Sequence, residues 1–272
     1  MSSPLPTPAA STPPTSAKLG RLFLVPAPLD FGCDTQAPLQ EVLPQSTIQQ
    51  ASQLGHWICE NAKSTRAYLK RVDALAPLAT PIQAQQMSEL PREVHKKGDH
   101  GDKGAPVFDA RPLLSAALQG QDIGLVSEAG MPAVADPGSS IVRAAHDLGI
   151  AVVPLVGPVS LLLALAASGM NGQNFAFVGY LPQSGPERAQ RMKELESIAL
   201  KTGQTQVFIE TPYRNAALWQ ALTQTLQTNT RLAMAAGLTL ETSQIHSQPI
   251  KQWRQKAAPV DNRTPTVFLI GR

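Results

Sequence analysis

The residues with the strongest potential for chemistry lie in a turn-rich segment near the middle of the chain. An apolar stretch at 123–126 is followed directly by Ser-Glu-Ala-Gly-Met-Pro-Ala-Val-Ala-Asp-Pro-Gly-Ser at 127–139. In open α/β sheets, ligands bind beyond the carboxyl ends of strands, and Gly130 permits close approach because it has no Cβ. The segment predicts either a ligand-binding turn or a purely structural strand-to-helix connection, and composition alone does not separate the two.

Two later segments place polar groups beside apolar elements. A Gly-Pro turn at 157–158 leads directly into an apolar stretch with Ser160 at its start. Free backbone N–H groups at such a helix start can bind a ligand, or Ser160 can simply cap its own helix. Glu210 ends another apolar stretch, with Tyr213 nearby, and it is either a carboxylate of the site or the ion-pair partner of Arg214.

A fourth candidate follows the short apolar stretch at 56–59. Glu60 comes directly after it, and Lys63 and Arg66 lie on the next predicted helix. Because these two cations are three residues apart, they share one helix face. Such a face is usually solvated, but it is also suited to bind a phosphate group.

Motifs of several common enzyme classes are absent from the sequence. It contains no Gly-x-Gly-x-x-Gly, no Gly-Lys-Ser/Thr and no Gly-x-Ser-x-Gly, which disfavours ordinary dehydrogenases, P-loop kinases and α/β-hydrolases. The two cysteines and five histidines show no Cys-x-x-Cys or His-x-x-x-His spacing. We therefore expect no bound metal.

Composition restricts the class of protein and its partners. Hydrophobic residues make up 43% of the 272 residues, which excludes global disorder, while charged residues make up only 16%. The net charge of +3 permits an anionic partner without demanding one. Pro154 and Gly157 interrupt the apolar stretch at 150–170, so we expect no membrane span there. We also expect no secretion signal, which predicts a cytoplasmic protein.

Alternating strand and helix patterns predict an α/β fold with mostly parallel sheets. Strands are expected at 21–25, 56–59, 123–127, 150–155, 175–180, 206–210, 232–236 and 266–270. Helices are expected at 44–54, 64–75, 111–118, 138–148 and 159–167. We expect a disordered tail rich in Pro, Ser and Thr at 1–19, an N-terminal domain at 20–155 and a C-terminal domain at 156–272. The polar stretch 88–108 is expected to be a mobile surface loop, or a lid that faces the substrate.

Five motifs in this order resemble the tetrapyrrole methylase superfamily, and within it the branch named ribosomal RNA small subunit methyltransferase I. They are LVPAPL at 24–29, SEAGMPAVADPG at 127–138, VGPVS at 156–160, FVGYLP at 177–182 and FIETPYR at 208–214. The resemblance covers about residues 20–272. It implies two α/β domains with S-adenosylmethionine (SAM) in the cleft between them, usually in a homodimer. It also implies a SAM-dependent methyltransferase in rRNA processing, with RNA or a ribosomal subunit as partner.

Three motifs depart from this branch on the expected substrate side. The branch typically has Pro-Thr-Pro-Ile-Gly-Asn, Glu-Asp-Thr-Arg and Ser-Asp-Ala-Gly-Thr-Pro. This chain has Pro-Ala-Pro-Leu-Asp-Phe at 26–31, Glu-Asn-Ala-Lys at 60–63 and Ser-Glu-Ala-Gly-Met-Pro at 127–132. The chain thus resembles a divergent subgroup whose acceptor need not be the same nucleotide. Two alternatives stay open: SAM-dependent methylation of a small molecule such as a tetrapyrrole, and SAM binding without catalysis.

The resemblance also implies roles for individual residues. The cofactor pocket is expected to be built from the motifs and from two strand ends: Pro26, Ser127, Gly130, Met131, Val134, Ala135, Ser160, Glu210, Ala235 and Ala236. A general base for a hydroxyl or nitrogen acceptor is expected among three carboxylates, in the order Glu128, Glu60 and Glu210. Four residues are expected to place an anionic substrate: Lys63, Arg66, Tyr213 and Arg214.

Overall fold

The computed structural model of the chain describes residues 18–91, 94 and 108–272. The predicted tail at 1–19 therefore lies outside the described residues, except for its last two positions. Within the described part, no helix is both long and apolar enough to cross a membrane. The strands form two five-stranded sheets, one in each half of the chain.

The first sheet is entirely parallel and has the strand order β3-β2-β4-β1-β5. Its strands are β1 (Arg21–Leu24), β2 (His56–Cys59), β3 (Gln86–Glu89), β4 (Ile123–Val126) and β5 (Ala151–Pro154). All four residues of the central strand β4 are buried, as expected for a parallel strand that is covered on both faces. In the register between β1 and β4, Leu22 lies opposite Ile123.

Helices cover both faces of this sheet. One face carries α1 (Leu39–Val42), α2 (Gln45–Ser52) and α3 (Ala62–Asp73), and the other carries α4 (Ser115–Leu118) and α5 (Ser139–Asp147). The chain thus leaves β1 towards one face and its neighbour β4 towards the other. Such a switch point opens a crevice at the carboxyl ends of the two strands, where α/β proteins bind ligands.

The centre of the first sheet is packed tightly around Gly124. A Cβ at this position would lie 2.6 Å from the ring of Trp57. That ring is buried, and its Nε1–H donates to Gln85 at 2.8 Å, so it has little freedom to move.

We expect Gly124→Ala to lower the free energy of unfolding by about 1–3 kcal/mol, because overpacking a filled core forces side chains off their rotamers. The measurement is urea unfolding followed by circular dichroism. Gly172→Ala is the matched control, since a Cβ there would meet nothing within 4 Å. Equal stability of the two variants would contradict this account of the core.

The second sheet is mixed and has the strand order β6-β7-β10-β8-β9. Its strands are β6 (Phe175–Tyr180), β7 (Thr205–Ile209), β8 (Arg231–Ala236), β9 (Gln244–Pro249) and β10 (Thr266–Gly271). Only the β6–β7 pair is parallel. One face is covered by α6 (Ser160–Ser168), and the other by α7 (Gly185–Thr202), α8 (Asn215–Thr225) and α9 (Ile250–Trp253). The predicted α/β class with mostly parallel pairing is confirmed, and among the described strands the antiparallel strand pairs lie in this second sheet.

Two strands were not expected from the sequence. β3 and β9 lie at sheet edges, and most of their side chains are exposed or half-buried. The predicted loop at 88–108 is therefore wrong at its start, because positions 88 and 89 belong to β3 and Leu90 is buried. Val94 is buried too, and positions 92, 93 and 95–107 of that stretch lie outside the described residues.

Candidate functional site

A cavity of about 430 Å³ lies where the loops of the first sheet meet the second sheet. The first sheet contributes the segments that follow β1 and β4, which are the two strands at the switch point. The second half contributes the start of α6 and the chain that follows β7 and β8. The wall is largely apolar: Leu29, Met131, Val134, Leu161, Ile209, Leu238 and Val267. The cavity is large enough for a cofactor-sized ligand.

The turn after β4 is shaped by four residues with positive φ: Gly130 (72°), Ala133 (64°), Ala135 (66°) and Gly138 (136°). Positive φ is costly for alanine, and such strain concentrates at ligand sites. Gly130 also exchanges two backbone hydrogen bonds with Ala27, of 2.9 and 3.0 Å. A Cβ at Gly130 would lie 3.2 Å from the side chain of Leu29. The segment is therefore a fixed loop whose main chain forms part of the cavity wall.

Three carboxyl groups come together on the wall next to the first sheet. Glu60, Glu128 and Asp136 all line the cavity. The Glu128 main-chain N–H donates to the Glu60 carboxylate at 3.3 Å, and the Ser64 hydroxyl donates to the Glu128 carboxylate at 3.3 Å. Burial, together with the charges of Glu60 and Glu128, raises the pKa of Asp136 to about 8. Between about pH 4 and pH 8, Asp136 thus holds a proton that an ordinary aspartate has lost.

Tyr180 lies at the same wall, at the end of β6. Burial raises the pKa of its hydroxyl, and the charge of Asp136 raises it further. Its side chain is nevertheless 56% exposed as a whole, so its ring forms part of the cavity mouth. The mouth is thus lined by a phenol next to a protonated carboxyl group.

Glu210 is engaged with its own turn. Its side chain is 2% exposed, and it forms an ion pair with Arg214 at 2.8 Å. It also accepts a hydrogen bond from the Thr211 main-chain N–H at 2.8 Å. The ion pair between Glu210 and Arg214, one of the two possibilities that the sequence offered, is therefore present in the structure. Arg214 lies 5.4 Å from the centre of the Tyr213 ring, which is itself 68% exposed.

The structure brings most of the expected site residues to the cavity wall: Glu60, Glu128, Gly130, Met131, Val134, Ala135, Ser160, Glu210 and Ala235. Pro26, Ser127 and Ala236 do not line it, and neither do four residues expected to place the substrate: Lys63, Arg66, Tyr213 and Arg214. Pro26 instead packs beside Gly157, where a Cβ would lie 2.3 Å from the proline ring. Ser127 lines a second, neighbouring cavity, and Lys63 and Arg66 are exposed on α3.

Sequence reasoning missed two residues of the site, Asp136 and Tyr180. Asp136 stands inside the turn that the sequence singled out, directly before Pro137. Its chemical type and its place in that turn were signals that could have found it. Across the described ranges, no cluster of His, Cys, Asp and Glu has an arrangement suited to a metal ion.

Sequence comparisons find named relatives of this chain. A "Ribosomal RNA small subunit methyltransferase I" from Vibrio cholerae serotype O1 is 33% identical over 154 residues, which are 57% of this chain and 52% of that protein. The protein of the same name from Mesorhizobium japonicum is 40% identical over 132 residues, 48% and 44% of the two chains. That from Halalkalibacterium halodurans is 30% identical over 197 residues, 72% and 56%. The chain spans about half the length of the curated relatives it matches.

Solved structures show the same fold at low sequence identity. The methyltransferase CobJ superposes with a TM-score of 0.55 and 14% identity, covering 93% of this chain and 94% of that one. The native uroporphyrin III C-methyl transferase from Thermus thermophilus gives 0.53 and 16%, covering 93% and 98%. The family described as "Tetrapyrrole (Corrin/Porphyrin) Methylases" matches residues 46–253, about three quarters of the chain. The resemblance seen in the sequence is thereby confirmed, and the chain belongs to the tetrapyrrole methylase family.

Proposed function

We propose that this protein is a SAM-dependent methyltransferase that modifies RNA of the small ribosomal subunit. The observation that carries the proposal is the cavity between the two sheets, with its apolar walls and its fixed main-chain turn. The names of the V. cholerae, M. japonicum and H. halodurans relatives support the RNA substrate. A T. thermophilus uroporphyrin-III C-methyl transferase of the same fold is complexed with S-adenyl homocysteine, which supports the cofactor.

The residues present fit SAM chemically. Leu161, Leu238 and Val267 offer an apolar surface for a flat adenine ring. The main chain around Gly130 offers backbone hydrogen-bonding groups to the ligand. A Cβ at Gly130 would crowd the Leu29 side chain on the same wall. The carboxyl group of Asp136 and its acidic neighbours suit a cationic ligand rather than an anionic one.

We propose that Asp136 accepts the proton of the acceptor group. SAM, when bound, supplies a methyl group that is already activated by the sulfonium, so the protein mainly has to align the acceptor and exclude water. With SAM bound, the Asp136 carboxylate would take the proton that the acceptor oxygen or nitrogen loses on methylation. A base is most effective when its pKa lies near the working pH. Asp136 meets this condition, whereas Glu210 is held by Arg214.

Charge distribution favours RNA over a carboxylated small molecule. The carboxylates of a tetrapyrrole would face Glu60 and Glu128 at the cavity and be repelled. A nucleotide presents a neutral sugar and base there, while its phosphates can lie further out against the exposed cations of α3, Lys63, Arg66 and Lys70. Methylation of a tetrapyrrole remains the alternative that direct assay with such substrates must test, as does SAM binding without turnover.

S-adenosylhomocysteine is expected to bind the purified protein and to stabilise it, since a ligand that binds only the folded state raises the free energy of unfolding. At a free concentration 100 times the dissociation constant, the rise is about 2.7 kcal/mol. Calorimetric titration and thermal unfolding measure the two effects. Labelled methyl should then appear in RNA of small ribosomal subunits from cells that lack this protein. Absence of both heat and thermal protection would refute the proposal.

We further propose that the two sheets are separate domains that meet at residues 155 and 156, between β5 and α6. A homodimer is supported by apolar side chains exposed near this junction, Val156, Leu162 and Leu163. A cytoplasmic location follows from the proposed ribosomal substrate.

A further inference from the structure

A second cavity of about 280 Å³ lies beside the first one. Its walls are α3 and the chain that follows β1 and β4, so it opens at the carboxyl ends of the first sheet. Phe31, Gly32 and Glu128 line both cavities and form the wall between them. A ligand in the second cavity would therefore touch the same residues as a cofactor in the first. The volume is at the lower end for small-ligand sites and suits a single ring system better than a whole cofactor.

The cation inside the second cavity, Arg71, is already paired. Arg71 binds the Asp30 carboxylate at 3.1 Å and donates to the Ala37 carbonyl at 2.6 Å. Asp30 also accepts from the Ala37 main-chain N–H at 3.2 Å. Because this guanidinium is engaged, the cavity has no reason to attract a phosphate. Its occupant should be neutral and polar.

Tyr68 supplies a polar group that needs a partner. Its side chain lines the cavity and is 6% exposed, and its hydroxyl has no hydrogen-bond partner within the described residues. A buried hydroxyl without a partner is costly, and native proteins rarely retain one without a reason. The hydroxyl oxygen is itself covered in this structure, so a ring nitrogen or carbonyl oxygen of a ligand would satisfy it once the covering side chains shift. The hydroxyls of Ser64 and Thr65 add further polar atoms to the same wall.

The outer side of the same helix is suited to a nucleic-acid backbone. On α3, Ser64, Tyr68 and Arg71 fall on one flank, since residues three and four apart share a helix face. Lys63, Arg66 and Lys70 occupy the adjoining flank and are exposed. One helix thus presents a polar, neutral cavity and, next to it, a row of three cations. Unstacked bases in pockets and phosphates on cations are the usual pattern for recognition of single-stranded RNA.

We propose that the second cavity binds the base of the acceptor nucleotide, turned out of its strand, while the flanking phosphates lie along Lys63, Arg66 and Lys70. This rests on the proposed methyltransferase function and assigns the acceptor subsite to residues outside the cofactor cavity. The nucleotide then reaches the wall at Glu128, where its methyl acceptor faces the first cavity.

Tyr68→Phe tests the hydroxyl without endangering the fold, because the lost group has no protein partner within the described ranges. We expect KM for small ribosomal subunits to rise about tenfold, with kcat and the affinity for S-adenosylhomocysteine little changed. Thermal stability should stay equal or increase. If the hydroxyl serves only the fold or a buried water, Tyr68→Phe will leave KM unchanged. That result would refute the proposed role of the hydroxyl in binding the base.

Ala67→Phe tests the cavity itself. Ala67 lines the mouth and is exposed on α3, so the larger ring can fill the cavity without entering the core. We expect methyl transfer to RNA to fall to background while S-adenosylhomocysteine still binds. Gln190→Phe, on the exposed side of α7, is the control for an added surface aromatic and should behave as the wild type.

The possible outcomes separate this inference from the proposed function. If the wild type binds no S-adenosylhomocysteine, the function fails and the inference fails with it. If the wild type methylates RNA and both variants match it, the function stands and the subsite is refuted. If the wild type methylates a uroporphyrinoid rather than RNA and Ala67→Phe blocks that reaction, the cavity takes a different class of ligand. The proposal that it binds a nucleobase is then refuted.

Discussion

Replacing Asp136 by Asn is expected to lower the rate of methyl transfer by about 10²- to 10⁴-fold, the usual contribution of a general base. The substitution keeps the size of the side chain and removes its ability to take a proton. Binding of S-adenosylhomocysteine should survive, because the apolar wall and the turn around Gly130 are untouched. A single-turnover assay with saturating cofactor and small ribosomal subunits measures the loss at the chemical step.

The dependence of the methyl-transfer rate on pH is a second test of the role of Asp136. The Asp136 carboxyl acts as a base only after it has lost its proton, and its pKa is raised to about 8 by burial and by Glu60 and Glu128. The wild-type rate should therefore rise with pH up to about 8 and level off above it. The residual rate of Asp136→Asn should show no such rise.

Stability should change in the opposite direction to activity. The ordinary pKa of an aspartate is 3.8, so between about pH 4 and pH 8 the unfolded chain has released a proton that the folded protein still holds. Stability due to this group therefore falls as pH increases through that window. Asp136→Asn removes the effect and should raise the free energy of unfolding at pH 8 by about 0.5–2 kcal/mol, as often found when a functional group is replaced.

Asp147→Asn serves as the control, because Asp147 is an exposed aspartate at the end of α5. It should change neither the rate nor its dependence on pH. An Asp136→Asn variant with the wild-type rate would contradict the assignment of the base. The candidates would then return to Glu128 and Glu60.

The parts of the fold that were predictable are those whose burial leaves a mark on local sequence. β4 is four apolar residues followed by a turn, and its bounds differ from the expectation by one residue. β3 and β9 were missed because edge strands expose most of their side chains and so lack a continuous apolar run. α3 begins two residues earlier than expected because the Asn61 side chain caps its first turn.

The site was predictable only where it follows a strand directly. Glu128 and Glu210 were expected because each lies at or just beyond the end of a buried strand. Asp136 comes ten residues after β4, and the turn that brings it to the cavity includes Ala133 and Ala135 with positive φ. Alanine gives no local signal of such a conformation, since only glycine adopts it routinely. Tyr68 carries the pattern of an ordinary core residue of α3, so its unpartnered hydroxyl is visible only in three dimensions.

Removing Arg214 is expected to destabilise the protein by about 3 kcal/mol, at the lower end of the range for breaking a buried pair. The cost arises because Arg214→Ala leaves the Glu210 carboxylate, which is 2% exposed, without its cation. Arg214 also donates to the Thr211 hydroxyl at 3.0 Å, so the turn that forms part of the cavity wall loses a second contact. Urea unfolding measures the stability, and titration with S-adenosylhomocysteine should show weaker binding.

Arg191→Ala is the matched control, because Arg191 and Glu194 also form an Arg–Glu pair but are 39% and 48% exposed. An exposed pair contributes less than about 1 kcal/mol, since water and salt screen both charges. Adding Glu210→Gln to Arg214→Ala should recover part of the lost stability, because the second change removes the stranded charge. If Arg214→Ala and Arg191→Ala lower the free energy of unfolding equally, burial of Glu210 does not make its ion pair with Arg214 more important for stability. In that case the ion pair would not hold this wall of the cavity in place, and other contacts would have to fix the positions of Thr211 and Pro212.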